Sequence, residues 1–153
     1  MFPKGITLMA DVPFRYLRRV EFGDTDMAGI MHFSNFFRFM EAAETAFLRN
    51  LGASVAWQTP AGRFGFPRVS AACDYQWPAR FEDDLTITVG IEKLGRSSVS
   101  YIHEFSCGGR TIAVGRITSV FCTHDGDHGM KSQSLPPALR AAMEPYLIPR
   151  EVA

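Results

Sequence analysis

A net charge, paired cysteines and long apolar runs are all missing from this chain of 153 residues. Acidic and basic side chains number 16 each, so no overall field draws the protein to nucleic acid or to an anionic membrane. A balanced total still leaves room for a local basic patch that meets a phosphorylated ligand. Only three cysteines occur, Cys73, Cys107 and Cys122. They are odd in number, widely spaced and without a Cys-x-x-Cys pair, which points to free thiols in a reducing compartment. No segment approaches the roughly 20 apolar residues of a membrane span. The opening MFPKGITLMADV has one Lys and no sustained apolar run, a poor signal peptide. The expectation is a cytoplasmic protein with no membrane or nucleic-acid partner.

What is present is apolar and aromatic. The apolar fraction is 46%, with 13 Phe, enough for a packed core in one domain spanning residues 1–153. Residues 1–13, with Pro3, Gly5 and Pro13, read as an N-terminal tail.

The strongest local signal is a helix. Phe36, Met40, Ala43, Phe47 and Leu51 recur at spacings of four, three, four and four, one helical face, and Phe37, Phe39 and Leu48 widen it. Ser34 or Asn35 can cap its start, and Gly52 suits its end. Most of the remaining chain reads as strand. Phe14–Phe22 alternates loosely, with Tyr16, Arg18, Val20 and Phe22 on one side, and Gly23 breaks it. Residues 53–67, with Pro60, Gly62, Gly65 and Pro67, read as a connecting loop. Strands are then expected at Val69–Trp77, with its odd-numbered residues sharing a face, and at Leu85–Ile91, Ser98–Ser106 and Thr111–Cys122. Cys107-Gly108-Gly109-Arg110 is a tight hairpin turn, so pairing is antiparallel. Pro136–Leu147 reads as a short second helix with Pro in its first turn. The expected class is α+β: one long central helix wrapped by a curved antiparallel sheet of about five strands.

The helix is preceded by an acidic loop. Phe22-Gly23-Asp24-Thr25-Asp26-Met27-Ala28-Gly29-Ile30, followed by Ser34-Asn35-Phe36-Phe37-Arg38-Phe39-Met40, resembles the 4-hydroxybenzoyl-CoA thioesterase family of hotdog-fold enzymes. The likeness extends more faintly through Phe81–Leu85 and Leu94–Val99. It implies hydrolysis of an acyl-CoA thioester with Asp26 as the catalytic carboxylate, acting as nucleophile or as general base. That chemistry is physically sensible. A thioester carbonyl needs an activated nucleophile and donors for the developing oxyanion. The backbone amides of Phe33 and Ser34, at the positive end of the helix, are the expected donors.

The candidate substrate-binding residues are Gly29, His32, Asn35 and, by the resemblance, Arg96, Ser97 and Ser98. Gly29 lets the chain turn near the substrate, His32 lines the acyl pocket or, as the lesser alternative, serves as a general acid, and Asn35 also caps the helix and holds the loop. Arg96, Ser97 and Ser98 border the pantetheine and phosphate end of CoA, or else form a solvated turn. His32 stands where relatives often carry an aromatic, and Met27 where some have Pro; both departures bear on acyl choice. The plain alternative for Asp26 is a residue that merely stabilises the helix dipole. Asp24 is expected to orient the loop, and Glu41 and Glu44 to lie on a polar or interface face.

No metal or resident cofactor is expected, CoA being part of the substrate. The loop His124, Asp125, Asp127 and His128 has ligand chemistry but no standard spacing. A single hotdog subunit leaves a sheet edge uncovered, which implies a homodimer or homotetramer with the site at the interface. A non-catalytic acyl-thioester binding protein of the same fold is the alternative function. A hotdog dehydratase is a weaker third, with His103 its one candidate.

Overall fold

The computed structural model describes residues 13–124, 126 and 129–149. The expected N-terminal tail, apart from Pro13, lies outside that range, as do Asp125, Asp127 and His128 of the polar loop.

Strand formation follows the alternation in the sequence. Strand β1 (Phe14–Arg19) turns Phe14, Tyr16 and Arg18 inward and leaves Leu17 exposed. It stops short of the expected end. Val20 is buried, but Phe22–Asp24 winds into a 3-10 turn and Phe22 is 79% exposed. The cause is a reciprocal cap: the Asp24 carboxylate accepts from the Glu21 N–H at 2.9 Å, drawing the chain out of the sheet.

Helix α1 (Asn35–Asn50) buries Phe36, Phe39, Met40, Ala43, Phe47 and Leu48 along its apolar face. Gly52, at φ +78°, ends it in the left-handed conformation that a side chain resists. The chain then forms a hairpin where only a loop was expected, β2 (Ala56–Thr59) and β3 (Gly62–Gly65). Its alternating Trp57 and Phe64 pack with Phe66 and Phe121, centroids 5.2 to 6.4 Å apart across this aromatic cluster.

Three long strands carry the core, β5 (Asp84–Leu94), β6 (Ser98–Cys107) and β7 (Arg110–Val120). Leu85, Ile87, Val89 and Ile91 are all fully buried, as their spacing of two requires. The β6–β7 turn has Gly108 at φ +57° and Gly109 at +76°, the paired positive angles of a tight hairpin. With β4 (Arg68–Tyr75) they form an antiparallel sheet in the order β1-β5-β6-β7-β4. Helix α1 lies against it, touching β1, β4, β5 and β7. Phe36 meets Phe105 at 5.1 Å and Phe47 meets Tyr101 at 6.1 Å. Each such side chain contributes about 1.5–3 kcal/mol of burial.

The β1-β5-β6-β7-β4 sheet is the expected sheet of about five strands. Beside it β2, β3, β8 (Cys122–His124) and β9 (Met130–Ser132) form a second, four-stranded sheet that the residue pattern did not suggest. The face shared by the odd-numbered residues of β4 is not a buried one. Val69 is 64% exposed, and only Cys73 is half-buried, because β4 is an edge strand with a bulge between Arg68 and Ser70. The C-terminal helix α2 (Pro137–Met143) begins at Pro137 and ends in a 3-10 turn at Glu144–Tyr146.

Two ionisable groups, Glu44 and His103, lie in the core. Glu44, 3% exposed, lies on the apolar face of α1, where a polar or interface position was expected. Its Oε2 accepts from Arg68 of the edge strand at 2.9 Å, and its Oε1 lies 3.4 Å from Nε2 of the buried His103. Burial pushes the Glu44 carboxyl up to about 7 against the opposing pull of Arg68, and pushes His103 down to about 3. The fold therefore favours protonated Glu44, a contribution full below about pH 4.5 and lost as pH rises through 7. Neutral His103 contributes the reverse, full above 6.5 and lost as pH falls toward 3. Glu44→Gln removes only the first. Its stability in urea should gain on the wild type by on the order of 2 kcal/mol from about pH 5 to about pH 8. A gap that stays constant over that range contradicts the buried-carboxyl account.

Candidate active site

Between β1 and α1 the acidic loop folds on itself. The Asp26 N–H donates to the Ile30 carbonyl at 2.9 Å, and the Gly29 N–H to the Asp26 carbonyl at 3.0 Å. Gly29 takes φ +77°, the left-handed angle that closes this turn. Asp26 Oδ1 accepts from the Ala28 N–H at 2.8 Å, which fixes the half-buried carboxylate. The loop is tied to its surroundings at both ends. The Met31 N–H donates to Ala79 at 2.7 Å, and the Asp24 carbonyl accepts from both the His32 N–H at 2.8 Å and Asn35 Nδ2 at 2.9 Å.

The carboxylate borders a cleft of about 500 Å³ whose walls are mostly apolar: Ile30, Met31, Phe33, Phe36, Tyr75, Gln76, Trp77, Pro78 and Ala79. Phe36 and Tyr75 meet edge to face at 5.0 Å. The Tyr75 hydroxyl donates to the Phe33 carbonyl at 2.8 Å and so locks the turn that opens the helix. Burial and the neighbouring Cys73 push the Tyr75 phenol up to about 12, so it stays a protonated donor.

The expected site residues divide. Asp26 and Phe33 share the cleft, and the Phe33 N–H has no acceptor among the described residues. The Ser34 N–H is occupied, donating to His32 Nδ1 at 3.2 Å, so of the two expected oxyanion donors only that of Phe33 stands open. Ser34 occupies the N-cap position of α1 without capping it, since its hydroxyl pairs with His32 Nδ1 at 2.7 Å. His32 stacks on Phe33, centroids 4.6 Å apart, and is not part of the cleft wall, contrary to its expected place in the acyl pocket. Asn35 and Gly29 shape the loop from outside that wall.

Arg96, Ser97 and Ser98 do not join Asp26 within one chain. The acidic loop lies by the start of β5, where the Val20 N–H donates to Asp83 and Ile30 bridges Arg80. Arg96 lies past the other end of that strand, about 35 Å away at ~3.4 Å per residue. There Arg96 donates to Ser134 at 2.9 Å, and Ser97 accepts from the Phe121 N–H at 2.7 Å.

Tyr75, Gln76 and Trp77 were missed as wall residues. Their signal was Pro78, which stands just past the end of the edge strand and just before Ala79, whose carbonyl accepts from the Met31 N–H of the loop. Among the described residues no group of His, Cys, Asp and Glu is arranged to hold a metal, and no helix is long and apolar enough to cross a membrane.

Comparison with known proteins accords with this geometry. A family profile described as the thioesterase-like superfamily matches residues 20–143. The chain belongs to that superfamily. It is 34% identical over 117 residues to a 4-hydroxybenzoyl-CoA thioesterase of Pseudomonas sp. (strain CBS-3), a match covering 72% of this chain and 83% of the relative. It is 28% identical over 140 residues to a 1,4-dihydroxy-2-naphthoyl-CoA hydrolase of Synechococcus sp. (strain WH7803), covering 87% and 90%. Among solved structures, a gentisyl-coenzyme A thioesterase superposes with a TM-score of 0.72 at 32% identity, covering 84% of this chain and 98% of that one. The superfamily match spans the loop, α1 and the whole five-stranded sheet apart from β1.

Proposed function

We propose that this chain is a hotdog-fold acyl-CoA thioesterase that cleaves its substrate in the cleft beside Asp26. The acyl group is aromatic or a medium to long chain. The observation that carries the reading is the meeting, in one apolar cleft, of the half-buried Asp26 carboxylate and the open Phe33 N–H at the start of α1. The superfamily match and the aromatic acyl groups named for its relatives support it.

The thioester carbonyl enters with its oxygen toward the Phe33 N–H and the positive end of α1, and its carbon toward Asp26. The carboxylate then acts in one of two ways. It attacks the carbonyl carbon, forming a mixed anhydride that water later opens, or it takes a proton from a water that attacks instead. Either way the C–S bond breaks, CoA leaves as a thiolate that is then protonated, and negative charge passes through the carbonyl oxygen. Dipoles already aimed at that oxygen cost no reorganisation during the reaction, and one such donor contributes about 3 kcal/mol in other enzymes. CoA is substrate in this scheme, and no metal or resident cofactor takes part.

The edge of β4, unpaired among the described residues, supports a homodimer whose two sheets join there, or a tetramer built from such pairs. The partner's Arg96, Ser97 and Ser98 then supply the CoA contacts that one chain holds too far from its own Asp26. Both the free thiols and the balanced charge suit a cytoplasmic setting.

Thiol release from a panel of aryl- and alkyl-CoA esters tests the activity. Asp26→Asn should lower kcat by at least about 100-fold while leaving ligand binding within a few-fold. A wild type that binds such esters and never turns them over is instead an acyl-thioester binding protein. Sedimentation should give a dimer or tetramer; a monomer at micromolar concentration contradicts the shared-site arrangement.

A further inference from the structure

Beyond Trp77 and Pro78 the surface opens into a second cleft, about 490 Å³, which shares those two residues with the cleft of Asp26. The character of its wall is different. Where the first is apolar with one carboxylate, the second carries Arg80 and Arg110, with Asp83 and Cys107 beside them.

The guanidinium of Arg110 and the backbone of Arg80 are held in place, and among the described residues neither side chain is neutralised by a carboxylate. Arg110 opens β7 directly after the Gly108-Gly109 turn, so its backbone sits at the rigid end of a hairpin. Its guanidinium lies over the Trp77 ring, 4.1 Å from the centroid. Stacking uses the face of the guanidinium and leaves its N–H edge free to donate in plane. The backbone of Arg80 is pinned by its N–H to Asp83 Oδ2 at 2.8 Å and by a strand bridge to Ile30 of the acidic loop.

Among the described residues neither guanidinium lies within 4.0 Å of a carboxylate, unlike Arg19 with Asp84, Arg68 with Glu44 and Arg116 with Glu92. Asp83 is the one carboxylate in the wall, and one of its oxygens already accepts from the backbone of Arg80. The Cys107 thiol adds no negative charge, being held above its ordinary value by burial and by Asp83 and Asp84. Two guanidinium groups against one partly engaged carboxylate leave the cleft with positive charge.

We propose that this second cleft is an anion subsite of the thioesterase substrate, in which Arg80 and Arg110 bind an oxyanion, a phosphate or a carboxylate, lying beyond the reacting carbonyl. The inference rests on the thioesterase reading and deepens it. Two parts of such a substrate carry that chemistry, the phosphates of the thiol carrier and an acidic group at the far end of the acyl chain. Trp77 is the shared wall, so a ligand occupying both clefts passes over its ring. Arginine suits the role because its planar fork donates two parallel bonds to such a group.

Three thioesters separate the sources: benzoyl-CoA, the phosphate-free benzoyl thioester of N-acetylcysteamine, and the 4-carboxybenzoyl thioester of N-acetylcysteamine. Arg80→Gln/Arg110→Gln should raise KM roughly tenfold or more for at least one anion-bearing substrate. For the uncharged N-acetylcysteamine thioester it should leave kcat/KM within about twofold. A loss confined to benzoyl-CoA assigns the subsite to the carrier phosphates, and a loss confined to the carboxylate assigns it to the acyl end. An equal change on all three substrates, or none on any, overturns the subsite while wild-type turnover keeps the thioesterase reading intact. A wild type inactive on all three, and on the wider CoA panel, removes both.

Discussion

One backbone carbonyl, that of Asp24, holds the acidic loop against the start of α1. It accepts from the His32 N–H and from the Asn35 side chain at once, so the six residues from Thr25 through Ile30 bulge outward from a fixed base. Within that bulge Gly29 supplies the left-handed angle, and the Ala28 N–H steadies the Asp26 carboxylate. Tyr75 fastens the other side by donating to Phe33. The position of one carboxylate relative to one open N–H thus depends on hydrogen bonds that involve no substrate. On the proposed thioesterase reading, the site is built before its ligand arrives, which is what electrostatic stabilisation of a developing oxyanion requires.

A second constraint lies deeper in the protein. Arg68 of the edge strand reaches into the core to Glu44, and Glu44 stands against His103 on the central strand β6. Taking these groups out of water opposes folding, and the raised carboxyl and depressed imidazole record that opposition. Strand β4 carries Arg68 at one end and the cleft residue Tyr75 at the other. The same strand therefore ties a buried carboxyl of the helix to the sheet and frames the cleft, while its outer edge has no pairing partner among the described residues. Core and cleft thus meet in eight residues.

Much of this was readable from residue spacing because the physics is local. The helix stripe at 36, 40, 43 and 47 and the β5 alternation at 85, 87, 89 and 91 are periodicities of the backbone itself, and all eight residues are buried. Gly52 and the Gly108-Gly109 pair announced their turns by what other residues cannot adopt. What escaped was set by tertiary contact. The β2–β3 hairpin is short and rich in Gly and Pro, and its strands are held by aromatic packing on Phe121, more than fifty residues away. Alternation in β4 suggested a buried face, but an edge position with a bulge left it open. Glu44 could have been found, since it lies within the apolar stripe four residues after Met40. At the site, the Asp26 loop was visible as a motif. Its wall was not, because Tyr75 to Ala79 comes from a distant strand end, and His32 turned to Ser34 and Phe33 in place of the cleft.

The role proposed for Asp26 depends on where the reacting carbonyl sits. A crystal structure of the protein with a non-cleavable ketone analogue of an aromatic acyl-CoA, in which a methylene replaces the thioester sulfur, would locate it. The carbonyl oxygen should lie within about 3.1 Å of the Phe33 N, with its carbon facing the Asp26 carboxylate across the cleft. An analogue seated elsewhere, such as in the groove of Trp57, Phe64 and Arg63 on the smaller sheet, with the Asp26 cleft empty, would contradict it.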